Sequence, residues 1–198
     1  MKIIKLSTVA KIADNVRNLT VQSASSAPLS EALADLASCL ETFGDWALCG
    51  GIAVGVHARP RGTDDLDILL ENDQAIFRIM PLVGGKFKRM SDHIIVHRRN
   101  GVAVDLVTPE HVGVDPAVVL AAIRKASTRQ VGRKPVPVVT RDGLVALKLH
   151  RGTTQDTADI EAVLKAGGGV DLSGYPVVGD NARKYLDIEK RILGSGTK

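Results

Sequence analysis

Residues 48–71, LCGGIAVGVHARPRGTDDLDILLE, place Asp65 and Asp67 one residue apart, directly before the apolar run Ile68-Leu69-Leu70. Buried carboxylates are costly unless a cation pairs with them. In a strand, residues i and i+2 share a face. Asp65 and Asp67 therefore project from one side, and Leu66 and Ile68 from the other. Such a strand needs a core against its apolar side and a reason for two acids on the opposite one. Asp105 repeats the pattern in VAVDLV, where Val102, Val104 and Leu106 face one way and Asp105 the other.

Neighbouring carboxylates repel, and one becomes protonated unless a cation sits between them. Magnesium removes that conflict, since it prefers oxygen ligands and uses one or two carboxylates plus substrate phosphates. Asp105 adds a third carboxylate that a neighbouring strand can bring beside the first two, and three converging carboxylates can hold two metals. Paired metals clamp the attacking and leaving oxygens of a phosphoryl or nucleotidyl displacement. A bare D-x-D also fits a strand end with solvated acids. Gly50-Gly51, separated from Asp65 by thirteen residues, adds a turn into a helix whose N–H groups can approach phosphates. By itself it also fits a tight strand-to-helix turn.

The remaining pattern alternates. Leu33, Leu36, Leu40 and Phe43 recur at helical spacing before Gly44. WALCG reads as a strand, IAVGVHA as a helix, LDILLE as a strand and DQAIFRIMPLV as a helix ended by Gly84-Gly85. KFKRM, HIIVHRR and VAVDLVT read as three strands, with Asn100-Gly101 as a hairpin turn. PAVVLAAIRKAS is a helix and VPVV a strand; DGLVALKLHRG, DTADIEAVLKAGG and ARKYLDIEKRIL are helices. The fold class is α+β, or mixed α/β, with a helical C-terminal part. The expected division is an N-terminal extension over 1–28, a core over 29–140 and the helical part over 141–198.

Composition narrows the partners. The chain carries 26 basic and 22 acidic residues, a net charge of +4, which suits an anionic ligand such as a nucleotide or RNA. Aromatics are 3%, so the core is aliphatic. Cys39 and Cys49 lack metal-type spacing and read as reduced thiols. No apolar run approaches membrane-spanning length, and Lys5 and Lys11 interrupt any signal-peptide core. The expected location is cytoplasmic, with no membrane partner.

Gly50-Gly51, the spacer, Asp65-Leu66-Asp67 and a later Asp105 resemble the nucleotidyltransferase superfamily with the polymerase-β-like fold. Locally, GGIAVGVHARPRGTDDLDILL is similar to the form found in AbiEii-like toxin nucleotidyltransferases of type IV-type toxin–antitoxin systems, with matches at His57, Arg61, Thr63, Asp65 and Asp67. LVALKLHRGTTQDTADIEAVL resembles that family's later helical motif, with Lys148, Arg151, Asp156 and Asp159 in its places. Gln155 stands where a basic residue is usual, so no role is carried to it.

The resemblance implies a core sheet flanked by helices. It also implies transfer of a nucleoside monophosphate from a nucleoside triphosphate such as ATP, with Mg2+ or Mn2+, to an acceptor hydroxyl. Asp65, Asp67 and Asp105 are then the metal ligands, with Asp105 also the base toward the acceptor. Gly50, Gly51, Arg61, Thr63, Lys148 and Arg151 are the nucleotide-binding set, with Lys148 also supporting catalysis near the phosphates. Each has a plainer reading beside it. Thr63 suits a turn, Lys148 an amphipathic helix surface, and His57 a packing role. Asp156 and Asp159 either orient Lys148 and Arg151 or occupy a helix's first turn.

RNA, including tRNA ends, is the acceptor the resemblance favours, with a cognate antitoxin as a partner. Lys86, Lys88, Arg89, Arg98 and Arg99 form a basic cluster read either as a solvated strand face or as an RNA surface. Two alternatives stand beside this reading. One is an aminoglycoside or lincosamide nucleotidyltransferase, which wants an acidic groove. The other is a non-catalytic nucleotide- or partner-binding module of the same fold.

Overall fold

The structure is a computed structural model that describes residues 27–59, 62–131 and 134–194. Its elements run α1 (Ala27–Cys39), β1 (Trp46–Leu48), α2 (Gly50–His57), β2 (Asp65–Leu70), α3 (Asp73–Val83), β3 (Phe87–Arg89), β4 (Ile94–His97) and β5 (Ala103–Val107). There follow α4 (Pro109–Val112), α5 (Pro116–Arg124), β6 (Ser127–Val131), β7 (Lys134–Val138), α6 (Arg141–Arg151), α7 (Thr154–Gly167) and α8 (Gly179–Leu193). The seven strands form one mixed sheet in the order β3-β4-β5-β2-β1-β7-β6.

The apolar run after the acids explains the centre of this sheet. Leu66, Ile68, Leu69 and Leu70 are all within 1% of full burial, which suits the middle strand. β2 pairs antiparallel with β1 and parallel with β5. The parallel pairing needs a crossover, which α3 and the β3–β4 hairpin supply. Burial of Phe87, Ile95, Val104, Leu106, Leu66 and Ile68 marks one covered face of the sheet. Helix α1 lies there, since Asp35 Oδ2 accepts from His97 Nε2 at 3.0 Å. Burial disfavours the Asp35 carboxylate, but bonds from His97 and Lys86 outweigh it and hold its pKa below the ordinary value. Asn100, beside Gly101 in the expected hairpin turn, donates to Pro28 O at 2.8 Å and ties the same hairpin to the start of α1.

The C-terminal helices follow from local signals. Thr140 caps α6 by accepting from Gly143 N, and Gly152 ends it in the left-handed region at φ +71°. Thr153 then starts α7 with a capping box: its side chain accepts from Asp156 N and Asp156 accepts from Thr153 N. The helix consequently begins at Thr154, two residues before the first acid of its motif.

Two elements escape the sequence pattern. β6 is an edge strand whose Thr128, Arg129 and Gln130 are exposed, so no apolar alternation announces it. Its pairing with β7 holds it, even though β7 carries Pro135 and Pro137. α4 is one short turn after β5, capped by Thr108 and ended by Gly113 at φ +67°. The expected extension over 1–28 lies, apart from its last two residues, outside the described residues. Among the described residues, no helix is long and apolar enough to cross a membrane.

Candidate active site

Strand register places the acids. Asp67 sits directly opposite Asp105, and Asp65 opposite Ala103. Paired residues of neighbouring strands share a face, so Asp65, Asp67 and Asp105 project from the same side of the sheet, away from α1. β5 and β2 lie about 4.8 Å apart, the ordinary strand spacing. The row continues past Asp67, because Cys49 N donates to Asp67 O at 2.9 Å.

Each carboxylate on β2 has its own donor. Thr63 Oγ1 donates to Asp65 Oδ1 at 2.6 Å, so Thr63 orients an acid as well as shaping the turn. The N–H of Gly51, at the start of α2, points to Asp67 Oδ2 at 3.4 Å. The helix has no side-chain N-cap, so a carboxylate near its first amides is favourable. Gly50 makes this approach possible. It lies at φ +59°, and a Cβ there would fall 1.7 Å from Asp67 Oδ2.

That close approach gives a direct test. Gly50→Ala is expected to cost about 1–2 kcal/mol for the left-handed backbone alone. The collision adds a displacement of the Asp67 carboxylate. Urea unfolding reads the sum of the two effects. A variant as stable as the parent contradicts the placement.

The face is overloaded with negative charge. Burial, then Asp65, then Asp105 push the Asp67 pKa up, against the Gly51 N–H and Arg151. Burial and Asp65 raise that of Asp105, with His111 acting in the opposite direction. The three acids stand in adjacent register positions, but they are not drawn into a closed cluster. Among the described residues, no three or more His, Cys, Asp or Glu groups gather into a ready-made metal centre. Mutual repulsion and the separate Thr63 and Gly51 donors account for that spread.

Cations approach from the last turn of α6. A cleft lined by Cys49, Gly50, Asp67, Lys148 and Arg151 is backed by Val107, Val112, Val114, Leu144 and Leu147. Lys148 lines it yet is buried, with Nζ donating to Asp156 Oδ1 at 3.0 Å and Asp159 Oδ2 at 2.7 Å. Arg151 grips Asp156 with Nε at 2.8 Å and an Nη at 2.7 Å, and its side chain remains 42% exposed. Its pKa is raised chiefly by the Asp156 bond, with burial opposing and Asp67 assisting. Lys148, Arg151, Asp156 and Asp159 therefore form a locally neutral quartet. Arg151 is the member whose cation reaches solvent at the cleft. Burial, followed by Asp67, raises the Cys49 thiol pKa well above its ordinary value.

The other expected residues divide. Arg61 lies outside the described residues. His57 takes the packing role: it is buried, with Nε2 2.6 Å from Val139 O. The basic cluster is split. Lys86 pairs with Asp35 and Arg99 with Glu31, both on α1 and away from the carboxylate face. Arg89 pairs with Asp92, and Arg98 Nε donates to Gly84 O. Lys88 stands opposite Val96, itself opposite Ala103, which puts Lys88 on the carboxylate face. Sequence patterning missed the apolar back wall of the cleft. It also missed His111, whose ring stacks on His93 with centroids 4.0 Å apart, because neither lies in a recognisable motif.

No family model matches the chain, and no curated protein matches it. Among solved structures, it is similar to an antigenic nucleotidyltransferase-like protein from Paracoccidioides brasiliensis. The similarity covers 87% of this chain and 90% of that one, at 15% identity and a TM-score of 0.58. The architecture is thus a mixed α+β, nucleotidyltransferase-like fold, with a seven-stranded sheet flanked by helices.

Proposed function

We propose that this protein is a divalent-metal-dependent nucleotidyltransferase, moving a nucleoside monophosphate from a nucleoside triphosphate to an acceptor hydroxyl. The observation that carries the reading is the register of Asp67 against Asp105, with Gly50-Gly51 closing onto Asp67. A plain strand end would not bury Asp67 beside two further acids and leave a glycine where any side chain collides with it.

The chemistry of the donors suits Mg2+ or Mn2+, with the three carboxylates spread along one face rather than gathered into a ready-made centre. Carboxylate oxygens on one face, to be completed by substrate phosphates and water, are the usual magnesium environment. Asp65, Asp67 and Asp105 would hold the metal. When bound, it supplies charge neutralisation for the phosphates and for the attacking oxygen. The chain's own residues do the rest. Gly50, at the start of α2, lines the cleft where the triphosphate would lie, with the Gly51 N–H turned to Asp67, and Arg151 faces the cleft with a partly free guanidinium. Asp105, opposite Asp67 on the same face, is the carboxylate we assign to accept the acceptor's hydroxyl proton. The new bond joins the acceptor oxygen to the α-phosphorus, and pyrophosphate leaves.

RNA is the acceptor we assign, in a toxin-like role with a cognate antitoxin, on the local motif and the net charge of +4. A magnesium and ATP titration tests the catalytic reading. At ligand about a hundredfold above Kd, binding contributes about 2.7 kcal/mol, a melting shift of roughly 5–10 °C. The shift is expected only with both present. A shift absent under every nucleotide and metal combination contradicts the reading.

A further inference from the structure

We infer that His97, Asn100 and Asp35 form a pH-sensitive latch, in which a doubly protonated imidazole ring fastens the β4–β5 turn to α1. The latch lies on the α1 side of the sheet and does not depend on what the carboxylate face transfers.

Asn100 fixes the first half. Its Nδ2 donates to Pro28 O at 2.8 Å and to Glu31 Oε2 at 3.3 Å. Its Oδ1 accepts from Val102 N at 3.2 Å. Turning the amide over would set donor against donor at Val102 and acceptor against acceptor at Pro28 and Glu31, so the oxygen is the atom that faces His97. That oxygen lies 2.7 Å from His97 Nδ1, which therefore carries a proton.

Asp35 fixes the second half. Its Oδ2 lies 3.0 Å from His97 Nε2 and 3.4 Å from Lys86 Nζ. Burial works against the Asp35 charge, but the bonds from His97 and Lys86 outweigh it. A carboxylate only accepts, so Nε2 carries a proton as well. The ring is 1% exposed, so bulk water cannot replace either partner. A neutral ring would turn one nitrogen lone pair onto an oxygen.

The surrounding groups are few. α1 supplies Asp35, Cys39 and Glu31, and Glu31 is engaged by Arg99 and Asn100. Burial, then Asp35, raise the Cys39 pKa, so that thiol adds no charge. β3 supplies the uncharged Phe87 ring, 5.1 Å from that of His97 between centroids, and Arg98 turns away to Gly84 O. Burial and Lys86 oppose a charged ring. Lys86 is the more distant cation on the shared oxygen, and its side chain is 58% exposed, so solvent screens it.

The pH response has two sides. The Asp35 half is present above the ordinary carboxylate value of 3.8 and is lost as pH falls below it. The ring half is present while both nitrogens carry protons and is lost as pH rises and one leaves. Asp35 retains Lys86 when Nε2 loses its proton, whereas the Asn100 oxygen is locked toward Nδ1. The proton that leaves is thus the one on Nε2, and the bond to α1 goes with it.

The test uses the full chain, with the ring nitrogens of His97 observed by nitrogen-15 NMR and with Asp35→Asn melted beside the parent. Both His97 nitrogens of the parent should be protonated at pH 7, and Nε2 should lose its proton first as pH rises. Asp35→Asn should melt about 5 °C below the parent near pH 6. That gap should narrow by at least half near pH 9, where the parent has lost the same bond. In the variant, the amide can donate to a neutral ring, so Nε2 should be unprotonated at pH 7. A parent with one unprotonated His97 nitrogen at pH 7 overturns the latch, whether or not the variant folds. An equal melting gap near pH 6 and pH 9 overturns it too.

Discussion

Lys148→Ala is expected to destabilise the protein by about 3–5 kcal/mol, the cost of leaving a buried charge without its partner. The substitution removes the ammonium that bridges Asp156 and Asp159, both almost fully buried. Arg151 still bonds Asp156, but Asp159 loses its ammonium and keeps a neutral donor in Gln155. The effect reaches past the pair, because Asp156 also closes the capping box that starts α7.

The pH dependence follows with a definite sign. Burial works against the Asp156 charge, but Arg151, Thr153 and Lys148 outweigh it and hold its pKa well below the ordinary carboxylate value of 3.8. In the parent, that stabilisation is present above the unfolded value and is lost as pH falls below it toward the folded one. In the variant Asp156 keeps Arg151 and Thr153 but loses Lys148, so it has less of this stabilisation to lose. The stability deficit should therefore shrink as the pH falls below 3.8. Urea unfolding at several pH values checks both points. A deficit under about 1 kcal/mol at neutral pH contradicts the buried network.

Asp67→Asn is expected to act in the opposite direction on stability. Burial and the neighbouring acids raise the Asp67 pKa. A raised carboxylate stabilises the fold while protonated, and that contribution is lost as pH rises through its folded pKa. At neutral pH the charged group is a burden on the metal-free protein, so the amide should melt higher. Activity should move the other way. Losing one preorganised charge-stabilising group costs at least about a hundredfold. A more stable protein that transfers no nucleotide separates a functional acid from a structural one.

The D-x-D strand and the later helical motif were readable because their chemistry conflicts with their surroundings. Acids beside Ile68-Leu69-Leu70 demand a cation or a ligand, and the alternation around Asp105 fixes its face. The roles of Thr63 and Gly50 were less legible. Nothing in their local pattern tells that Thr63 holds Asp65 or that Gly50 leaves room for Asp67. The basic hairpin misled in another way. Sequence proximity joins Lys86, Lys88, Arg98 and Arg99, but α1 claims Lys86 and Arg99, and strand alternation leaves Lys88 on the acid side. β6 was invisible because pairing, not burial, holds an exposed edge strand.

The most direct measurement is covalent label transfer from α-phosphate-labelled ATP in magnesium, comparing the parent with Asp67→Asn and Asp105→Asn. The expected result is label on RNA with release of pyrophosphate for the parent, and none above background for either variant, although both remain folded. Equal transfer by all three proteins would contradict the assignment of this carboxylate face to nucleotidyl transfer.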